Sequence, residues 1–289
     1  MNSLIVQLDN IGALNKDRLV EYYPKVRDRN DISVLIDPIT EVIVLSQCDH
    51  VNKEYYRDRK EDGNTIGNST YISPKLNDNS CRSNKYYEKI YNKCWLDFGC
   101  GNGGMLDELS SVASECFGLD PNKDRQLIAR SKGHNVVSSL KEISDGSLDV
   151  VTMFHVLEHL TDPISTLNSI KQKLKPGGEI IIEVPHARDA LFTLYDSEPF
   201  RKFTFWSEHL ILHTRSSLRI MLEASNFSNC EIKSHQRYPL ANHLYWLSRN
   251  KPGGQSKWNF LLSDALNNEY DATLSMIDRT DTIVAFSKC

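Results

Sequence analysis

A glycine-rich stretch in the middle of the chain has residue types suited to holding a nucleotide-like ligand. It reads Gly99-Cys100-Gly101-Asn102-Gly103, and it lies between a short apolar run and a helical pattern. Glycines at such a turn let a ligand lie against backbone N–H groups at a helix N-terminus. Asp120 comes about twenty residues later, where a carboxylate can accept hydrogen bonds from ribose hydroxyls. The spacing therefore predicts a site for a nucleoside-containing ligand.

Two ligand classes fit this turn, and the neighbouring residues favour one of them. Gly99, Gly101 and Gly104 satisfy the GxGxxG dinucleotide pattern, which is weakly specific when taken alone. Asp97 lies two residues before the first glycine, where a carboxylate suits a cationic methionine group better than an anionic pyrophosphate. No second domain of plausible size remains for a dehydrogenase substrate. These features favour S-adenosylmethionine over NAD.

Ionisable side chains follow the fourth and fifth predicted strands. Open α/β sheets bind ligands at the carboxyl ends of their strands, so we expect these side chains to face an acceptor. Imidazole and carboxylate groups are suitable bases near neutral pH. The candidates for a catalytic base are His155, Glu158, His159, His186 and His209. His155 and His186 directly follow their strands, whereas Glu158 and His159 begin the next predicted helix.

The elements that must position these residues alternate between strand and helix from about residue 86 onward. Predicted strands include Cys94–Phe98, Glu115–Leu119 and Leu148–Phe154. The helix after the second strand is predicted over Pro121–Ser131, with Pro at a starting position. A turn at Lys175-Pro176-Gly177-Gly178 separates a helix from the fifth strand. This alternation predicts βαβ units and hence a parallel sheet with right-handed crossovers.

These motifs resemble those of class I S-adenosylmethionine-dependent methyltransferases, over roughly residues 86 to 235. The resemblance is carried by Leu96 to Gly103, Phe154 to Pro163 and Leu174 to Pro185. It implies a Rossmann-like sheet of seven mostly parallel strands with helices on both faces and an antiparallel last strand. The branch includes sugar- and polysaccharide-modifying enzymes and quinone-pathway O-methyltransferases. Some of the latter use a similar acidic and histidine cluster for a divalent metal, but we expect no metal here.

The resemblance and the residue types together give the predicted cofactor contacts. Ser139 and Leu140 follow the third strand, where the family places adenine contacts. Phe154 is placed to pack on the adenine or methionine part, or in the core. The full predicted set is Asp97, Gly99, Cys100, Gly101, Asn102, Gly103, Asp120, Pro121, Ser139, Leu140, Phe154 and His155.

Two regions flank this pattern. Residues 1–84 are predicted to be an N-terminal β extension with a polar loop over 61–84, and residues 85–289 the methyltransferase domain. A hairpin is expected where Ser33–Ile36 and Val42–Leu45 flank Asp37–Thr40. A helical insertion is expected over about 238–280, before the last strand. Its Tyr and Trp residues favour packing on the sheet or a homodimer interface.

Composition excludes several classes of protein. The formal net charge of −4 gives no global basic surface for nucleic acid. No apolar run is long enough to span a bilayer, and the first ten residues lack the pattern of a secretory signal. The seven cysteines form no CxxC pair, so we expect reduced thiols rather than a zinc site. A cytoplasmic enzyme is the expectation that follows.

The sequence thus predicts methyl transfer from S-adenosylmethionine to a small-molecule or sugar hydroxyl, with a histidine or glutamate base. Polysaccharide biosynthesis is the expected context. An N- or C-methyltransferase, an NAD-dependent oxidoreductase and a non-catalytic cofactor-binding subunit remain as alternatives.

Overall fold

The computed structural model describes residues 2–52, 54–57 and 78–289, and the following bounds apply to them. The helices are α1 (Ser3–Asn10), α2 (Asp78–Ile90), α3 (Gly104–Leu109), α4 (Lys123–Ser131), α5 (Pro163–Lys173), α6 (Ala190–Thr193), α7 (Glu198–Thr204), α8 (Arg215–Ala224), α9 (Leu240–Arg249), α10 (Gly254–Lys257) and α11 (Asp264–Met276). The strands are β1 (Val20–Tyr23), β2 (Val34–Ile36), β3 (Ile43–Leu45), β4 (Cys94–Phe98), β5 (Glu115–Leu119), β6 (Val136–Val137), β7 (Leu148–Phe154), β8 (Leu174–Pro185), β9 (Ile211–Leu212), β10 (Ser228–His235) and β11 (Thr282–Lys288). Short 3₁₀ helices lie at Lys16–Arg18, Leu140–Glu142, Leu157–His159 and Asn259–Leu261.

The larger sheet contains seven strands of the described chain in the order β10-β11-β8-β7-β4-β5-β6. Strands β4 to β8 run parallel to one another, and β11 is antiparallel to both β8 and β10. The chain reverses its direction of strand addition at β4 and β7, which places a crevice at their carboxyl ends. The predicted Rossmann-like fold with an antiparallel last strand is confirmed.

Alternate residues of the central strands supply two hydrophobic layers, one on each face of the sheet. Trp95 packs with Tyr86, Leu106 and Ala129 from α2, α3 and α4. Its neighbour Leu96 belongs to the opposite layer, which includes Leu167 of α5 and Leu218 of α8. Because successive strand residues point to opposite faces, both layers are continuous and nearly dry. Helices therefore cover both faces, as predicted.

The smaller sheet has the order β1-β2-β3-β9. Strands β2 and β3 form the predicted hairpin, with Val34 opposite Leu45 and Ile36 opposite Ile43. Strand β9 joins this sheet from a distant part of the chain, with Leu212 opposite Ile43. Residues of the hairpin share one core with residues of the larger sheet. The division of the chain near residue 85 stays a prediction, because β9 crosses it.

Three predicted boundaries were wrong, and a local hydrogen bond explains the first of them. Helix α4 begins at Lys123 rather than Pro121, since the Asn122 side chain caps it by accepting from Arg125 N. Helix α2 covers residues 78–84 of the predicted polar loop, and the rest of that loop, 61–77, lies outside the described residues. The predicted turn at Lys175–Gly178 lies inside β8.

Helices α9 to α11 occupy the chain between β10 and β11, where a helical insertion was expected. Within this insertion the 3₁₀ helix at Asn259–Leu261 and α11 are separate, because Leu262 and Ser263 between them are extended. Among the described residues, none of the helices combines the length and apolar character needed to cross a bilayer.

Candidate active site

The glycine turn lies between β4 and α3, and its conformation depends on residues without a side chain. Gly99, Gly101 and Gly103 have φ values of 84°, 53° and 82°, in the left-handed region that favours glycine. The N–H groups of Gly99 and Cys100 donate to Leu119 O at 2.7 and 3.0 Å. These bonds bring the turn against the end of β5. A Cβ atom built on Gly101 would meet no atom of the described residues within 4 Å, so these residues leave space above the turn.

Asp120 follows β5 and faces the same turn. Its Oδ2 accepts from Gly101 N at 3.0 Å, and its Oδ1 accepts from Asn122 N at 2.8 Å. The side chain is largely buried, with 4% of the residue exposed. A carboxylate has about four acceptor positions, and ribose hydroxyl groups are donors of the kind that it accepts. Pro121 lies between this carboxylate and the cap of α4 and is exposed.

Asp97 lies beneath the turn, in the last part of β4. Its Oδ1 accepts from Thr152 Oγ1 at 2.8 Å, and Trp95 Nε1 in turn donates to Thr152 Oγ1. Burial raises the pKa of Asp97 to about 6, because a charged carboxylate loses its hydration there. A cationic group bound beside this carboxylate would stabilise its charged form.

The other predicted cofactor residues surround the turn in different ways. Cys100 is buried, and Asn102 O accepts from Lys132 Nζ at 2.8 Å. Ser139 caps the 3₁₀ helix at Leu140–Glu142, and its N–H donates to Glu142 Oε1. Leu140 packs half-buried against the larger core.

Arg82 and Glu183 lie next to these residues, and sequence reasoning missed both. The Arg82 guanidinium donates to both Glu183 oxygens and lies 4.9 Å from the ring centre of Phe154. Phe154 stacks on Tyr86 of α2, with ring centres 5.3 Å apart. A lone Arg in a polar stretch gives no sequence signal, whereas Glu183 in an apolar strand stands out as a buried charge.

His155 is held between two carboxylates. Its Nδ1 lies 3.2 Å from Glu158 Oε1, and its Nε2 lies 3.1 Å from Glu183 Oε1. Burial and the nearby Arg237 lower the pKa of His155, but the two carboxylates outweigh them and raise it. Arg237 Nη1 also lies 3.2 Å from His155 Nε2, and the same guanidinium donates to Asp78. Both ring nitrogens are therefore occupied.

Glu158, His159 and His209 form a second group beside His155. Glu158 is fully buried, and its Oε1 lies 4.0 Å from His159 Nε2. Within the part of the chain that the structure describes, its Oε2 has no hydrogen-bond partner. Burial raises the pKa of Glu158, but the bond from His155 and the neighbouring histidines lower it to about 2. Glu158 and His159 lie in a 3₁₀ helix, and α5 begins only at Pro163, so the helix predicted to start with them was misplaced.

The same three side chains have ligand atoms within 4.8 Å of one another. One divalent cation accepts imidazole and carboxylate ligands at such spacing. The expectation that the chain binds no metal therefore stays a prediction.

His186 is not brought to this group. It is fully buried, its Nδ1 donates to Thr280 O at 2.9 Å, and its Nε2 lies 3.8 Å from Asp278 Oδ1. Burial lowers the pKa of His186 to about 4. Burial also lowers the pKa of His209, to about 3, with a contribution from the charge of His159.

Aromatic rings enclose His159. The ring centres of His209 and Trp206 lie 5.0 and 6.2 Å from it, and Tyr56 lies 6.1 Å away at 90°. Trp206 comes from a segment with several aromatic residues, 200–206. Phe205 instead stacks on Phe192 in the core. Tyr56 was not predicted, because it comes from the N-terminal part of the chain.

A seven-stranded sheet of this order, with a glycine turn and a carboxylate at its carboxyl edge, is typical of class I S-adenosylmethionine-dependent methyltransferases. A methyltransferase-domain family model matches residues 70–232, which is more than half of the chain. The chain belongs to this family, and S-adenosylmethionine is its cofactor.

The chain is similar to named relatives, and it can be aligned with a solved structure. The chain is 26% identical to the ubiquinone biosynthesis O-methyltransferase of Vibrio parahaemolyticus over 189 residues, 60% of this chain and 80% of the relative. The protein of that name from Vibrio cholerae is 28% identical over 139 residues, 43% of this chain and 57% of the relative. The structure of an S-adenosylmethionine-dependent methyltransferase from Archaeoglobus fulgidus aligns with a TM-score of 0.49 and 21% identity, covering 73% of this chain and 94% of that one.

Proposed function

We propose that the chain is an O-methyltransferase whose acceptor is a small molecule with a hydroxyl group on an aromatic ring. The observation that carries this proposal is the position of Glu158 and His159 among aromatic side chains at the carboxyl edge of the sheet. The Vibrio relatives, which are named as O-methyltransferases, support oxygen as the methylated atom.

The donor side fits S-adenosylmethionine by the chemistry of its residues. The space above Gly101 gives room for a ligand against backbone N–H groups, and Asp120 offers acceptor capacity for ribose hydroxyls. Asp97 offers a buried carboxylate for an ammonium group, and Arg82 a cation for a carboxylate. When bound, S-adenosylmethionine supplies a methyl carbon activated by its sulfonium group.

The acceptor side favours a flat ring. Tyr56, Trp206 and His209 surround His159 with interplanar angles near perpendicular, between 72° and 90°. Aromatic rings prefer such edge-to-face contacts, and each is worth about 0.5–1.5 kcal/mol beyond burial. A sugar ring has no π face, so it would gain less from these walls.

The proton of the acceptor hydroxyl passes to His159 Nε2. His155 is poorly suited because both of its ring nitrogens are already held by carboxylates. His159 Nε2 lies 4.0 Å from Glu158 Oε1. The negative charge of Glu158 stabilises the imidazolium that forms there, as in other base–carboxylate pairs.

The test is methyl transfer from methyl-labelled S-adenosylmethionine to catechol or to methyl glucoside, with and without a metal chelator. We expect labelled methoxyphenol from catechol, no product from the glucoside and no loss on chelation. His159→Gln should lower kcat about 100-fold, which is the contribution typical of a general base. Glu158→Gln should also lower kcat.

The matched control is Glu88→Gln, the same chemical change on an exposed residue of α2, which should keep full activity. Methylation of the glucoside but not of catechol would contradict an aromatic acceptor and favour a sugar. Activity that disappears on chelation would point to a metal-held acceptor, and full activity of His159→Gln would remove His159 as the base.

A further inference from the structure

A short segment of the N-terminal part of the chain lies against the loop that follows β5. Tyr56 O accepts a hydrogen bond from Asn122 Nδ2 at 3.0 Å, and Arg57 O accepts from Lys123 N at 3.4 Å. Asn122 also donates its backbone N–H to Asp120, the predicted ribose ligand, at 2.8 Å. Asn122 therefore contacts the donor side with its backbone and the N-terminal segment with its side chain.

The side chains of the same segment extend to the acceptor side. Tyr56 Oη lies 3.3 Å from His159 Nδ1, and the two rings are perpendicular with centres 6.1 Å apart. Tyr55 Oη donates to Glu208 Oε1 at 3.1 Å, and the Tyr55 ring packs edge to face on Tyr56 with centres 5.0 Å apart. The ring of Tyr56 thus lies beside the proposed base, while its backbone is held by Asn122.

We propose that Asn122 is a positioning residue for the acceptor, because its amide holds the Tyr56 ring in place as a wall of the acceptor side. This inference rests on the proposed function, in which Tyr56 contacts an aromatic acceptor. The hydrogen bond from Asn122 joins that wall to the loop of the predicted ribose ligand. The donor and acceptor sides are in this way held in one arrangement.

The amide of Asn122 suits this role because it is both an acceptor and a donor. Its Oδ1 caps α4 by accepting from Arg125 N at 3.0 Å, and its Nδ2 donates to Tyr56 O. Ser and Asp cap helices as well as Asn does, but neither has an amide N–H group. A change to Ser therefore keeps the cap and removes the bond to Tyr56.

The test is calorimetric titration of catechol into protein saturated with S-adenosylhomocysteine. It compares the wild type, Asn122→Ser, Tyr56→Ala and the double variant. We expect Asn122→Ser to weaken catechol about fivefold, the scale of one hydrogen bond, and S-adenosylhomocysteine less than about twofold. In the Tyr56→Ala background Asn122→Ser should have no further effect on catechol, because Asn122 acts through Tyr56.

A second measurement does not depend on the acceptor. In protein labelled with fluorotyrosine, the ¹⁹F NMR resonance of Tyr56 is identified by its loss in Tyr56→Phe. We expect this resonance to shift or broaden in Asn122→Ser, because the ring is less firmly held. If the wild type binds no catechol, the proposed function fails, and this resonance still decides whether Asn122 holds Tyr56.

The matched control is Asn15→Ser, the same chemical change at another cap. The Asn15 side chain accepts from Asp17 N at the start of the 3₁₀ helix Lys16–Arg18, and its replacement should change neither measurement. An unchanged Tyr56 resonance or an unchanged affinity for catechol in Asn122→Ser overturns the proposal. So does an equal weakening of catechol and S-adenosylhomocysteine, or losses that add in the double variant.

Discussion

The backbone of His155 adopts a left-handed conformation, with φ of 55°, although it is not a glycine. For a residue with a Cβ this conformation costs about 1–2 kcal/mol. The carboxylates of Glu158 and Glu183 hold the ring on both sides and offset that cost. Strain of this kind is concentrated at functional sites. It places the ring at the crevice rather than along the direction of β7.

The sequence predicted the residues at this edge whose positions follow from their spacing along the chain. It did not predict those that reach the edge through the packing of distant elements. The glycine turn and Asp120 follow from strand–turn–helix spacing, which is local. Glu183 reaches His155 from the neighbouring strand, and Arg82 reaches Glu183 from α2 on the face of the sheet. Neither contact can be predicted from how far apart the two residues are in the sequence.

His213 gives a prediction for the dependence of stability on pH. It is fully buried, and burial lowers its pKa to about 4, whereas in the unfolded chain the pKa is about 6.5. Between these values the unfolded state binds more protons, so stability falls as the pH is lowered. We expect the free energy of unfolding of His213→Asn to fall less than that of the wild type as the pH is lowered from 7 to 4. The difference should reach up to about 3 kcal/mol.

The measurement is the free energy of unfolding by urea for both proteins from pH 4 to pH 8. At pH 8 both side chains are neutral, so the difference there reports packing alone and serves as the internal control. Groups other than residue 213 titrate in both proteins and largely cancel. A difference that is the same at pH 4 and pH 8 would contradict the assigned environment of His213.

At the scale of elements, one contact joins the turn after β4 to the turn after β7. A Cβ atom built on Gly99 would lie 2.2 Å from Val156 Cγ2, and φ there is 84°. Gly101 also has a positive φ but open space around it. We expect Gly101→Ala to cost about 1–2 kcal/mol for its conformation. Gly99→Ala should cost more, because Val156 must also move.

The measurement is the free energy of unfolding by chemical denaturation. It compares Gly99→Ala, Gly101→Ala and the double variant of Gly99→Ala with Val156→Ala. The double-mutant cycle should show that removing the Val156 side chain recovers part of the loss. Equal losses for Gly99→Ala and Gly101→Ala, with no recovery in the double variant, would show that Val156 does not limit this turn.

The smaller sheet shows why an element can be predicted while its partner cannot. The β2–β3 hairpin follows from two apolar runs around Asp37–Thr40, since the strands are close in sequence. Its outer partner β9 has two residues, Ile211 and Leu212, and comes from about 165 residues further along, a separation at which no pattern specifies pairing.

For the molecule as a whole, the residues proposed to act lie along one edge of the larger sheet. Donor-side residues follow β4 and β5, and acceptor-side residues follow β7. The N-terminal part contributes Tyr56 to the same edge. The fold class was predicted because alternating strands and helices leave few topologies. The acceptor was not, since the site proposed for it combines segments 54–57, 155–159 and 206–209.

The measurement that tests the account most directly is calorimetric titration with S-adenosylmethionine, S-adenosylhomocysteine and NAD in parallel. We expect one site for each of the first two and no binding of NAD. Asp120→Ala should weaken S-adenosylhomocysteine at least about tenfold, since bonds to a charged group contribute about 1.5–3 kcal/mol. Asp124→Ala, on the exposed first turn of α4, should leave binding unchanged. Binding of NAD alone, or unchanged affinity in Asp120→Ala, would contradict the account of this site.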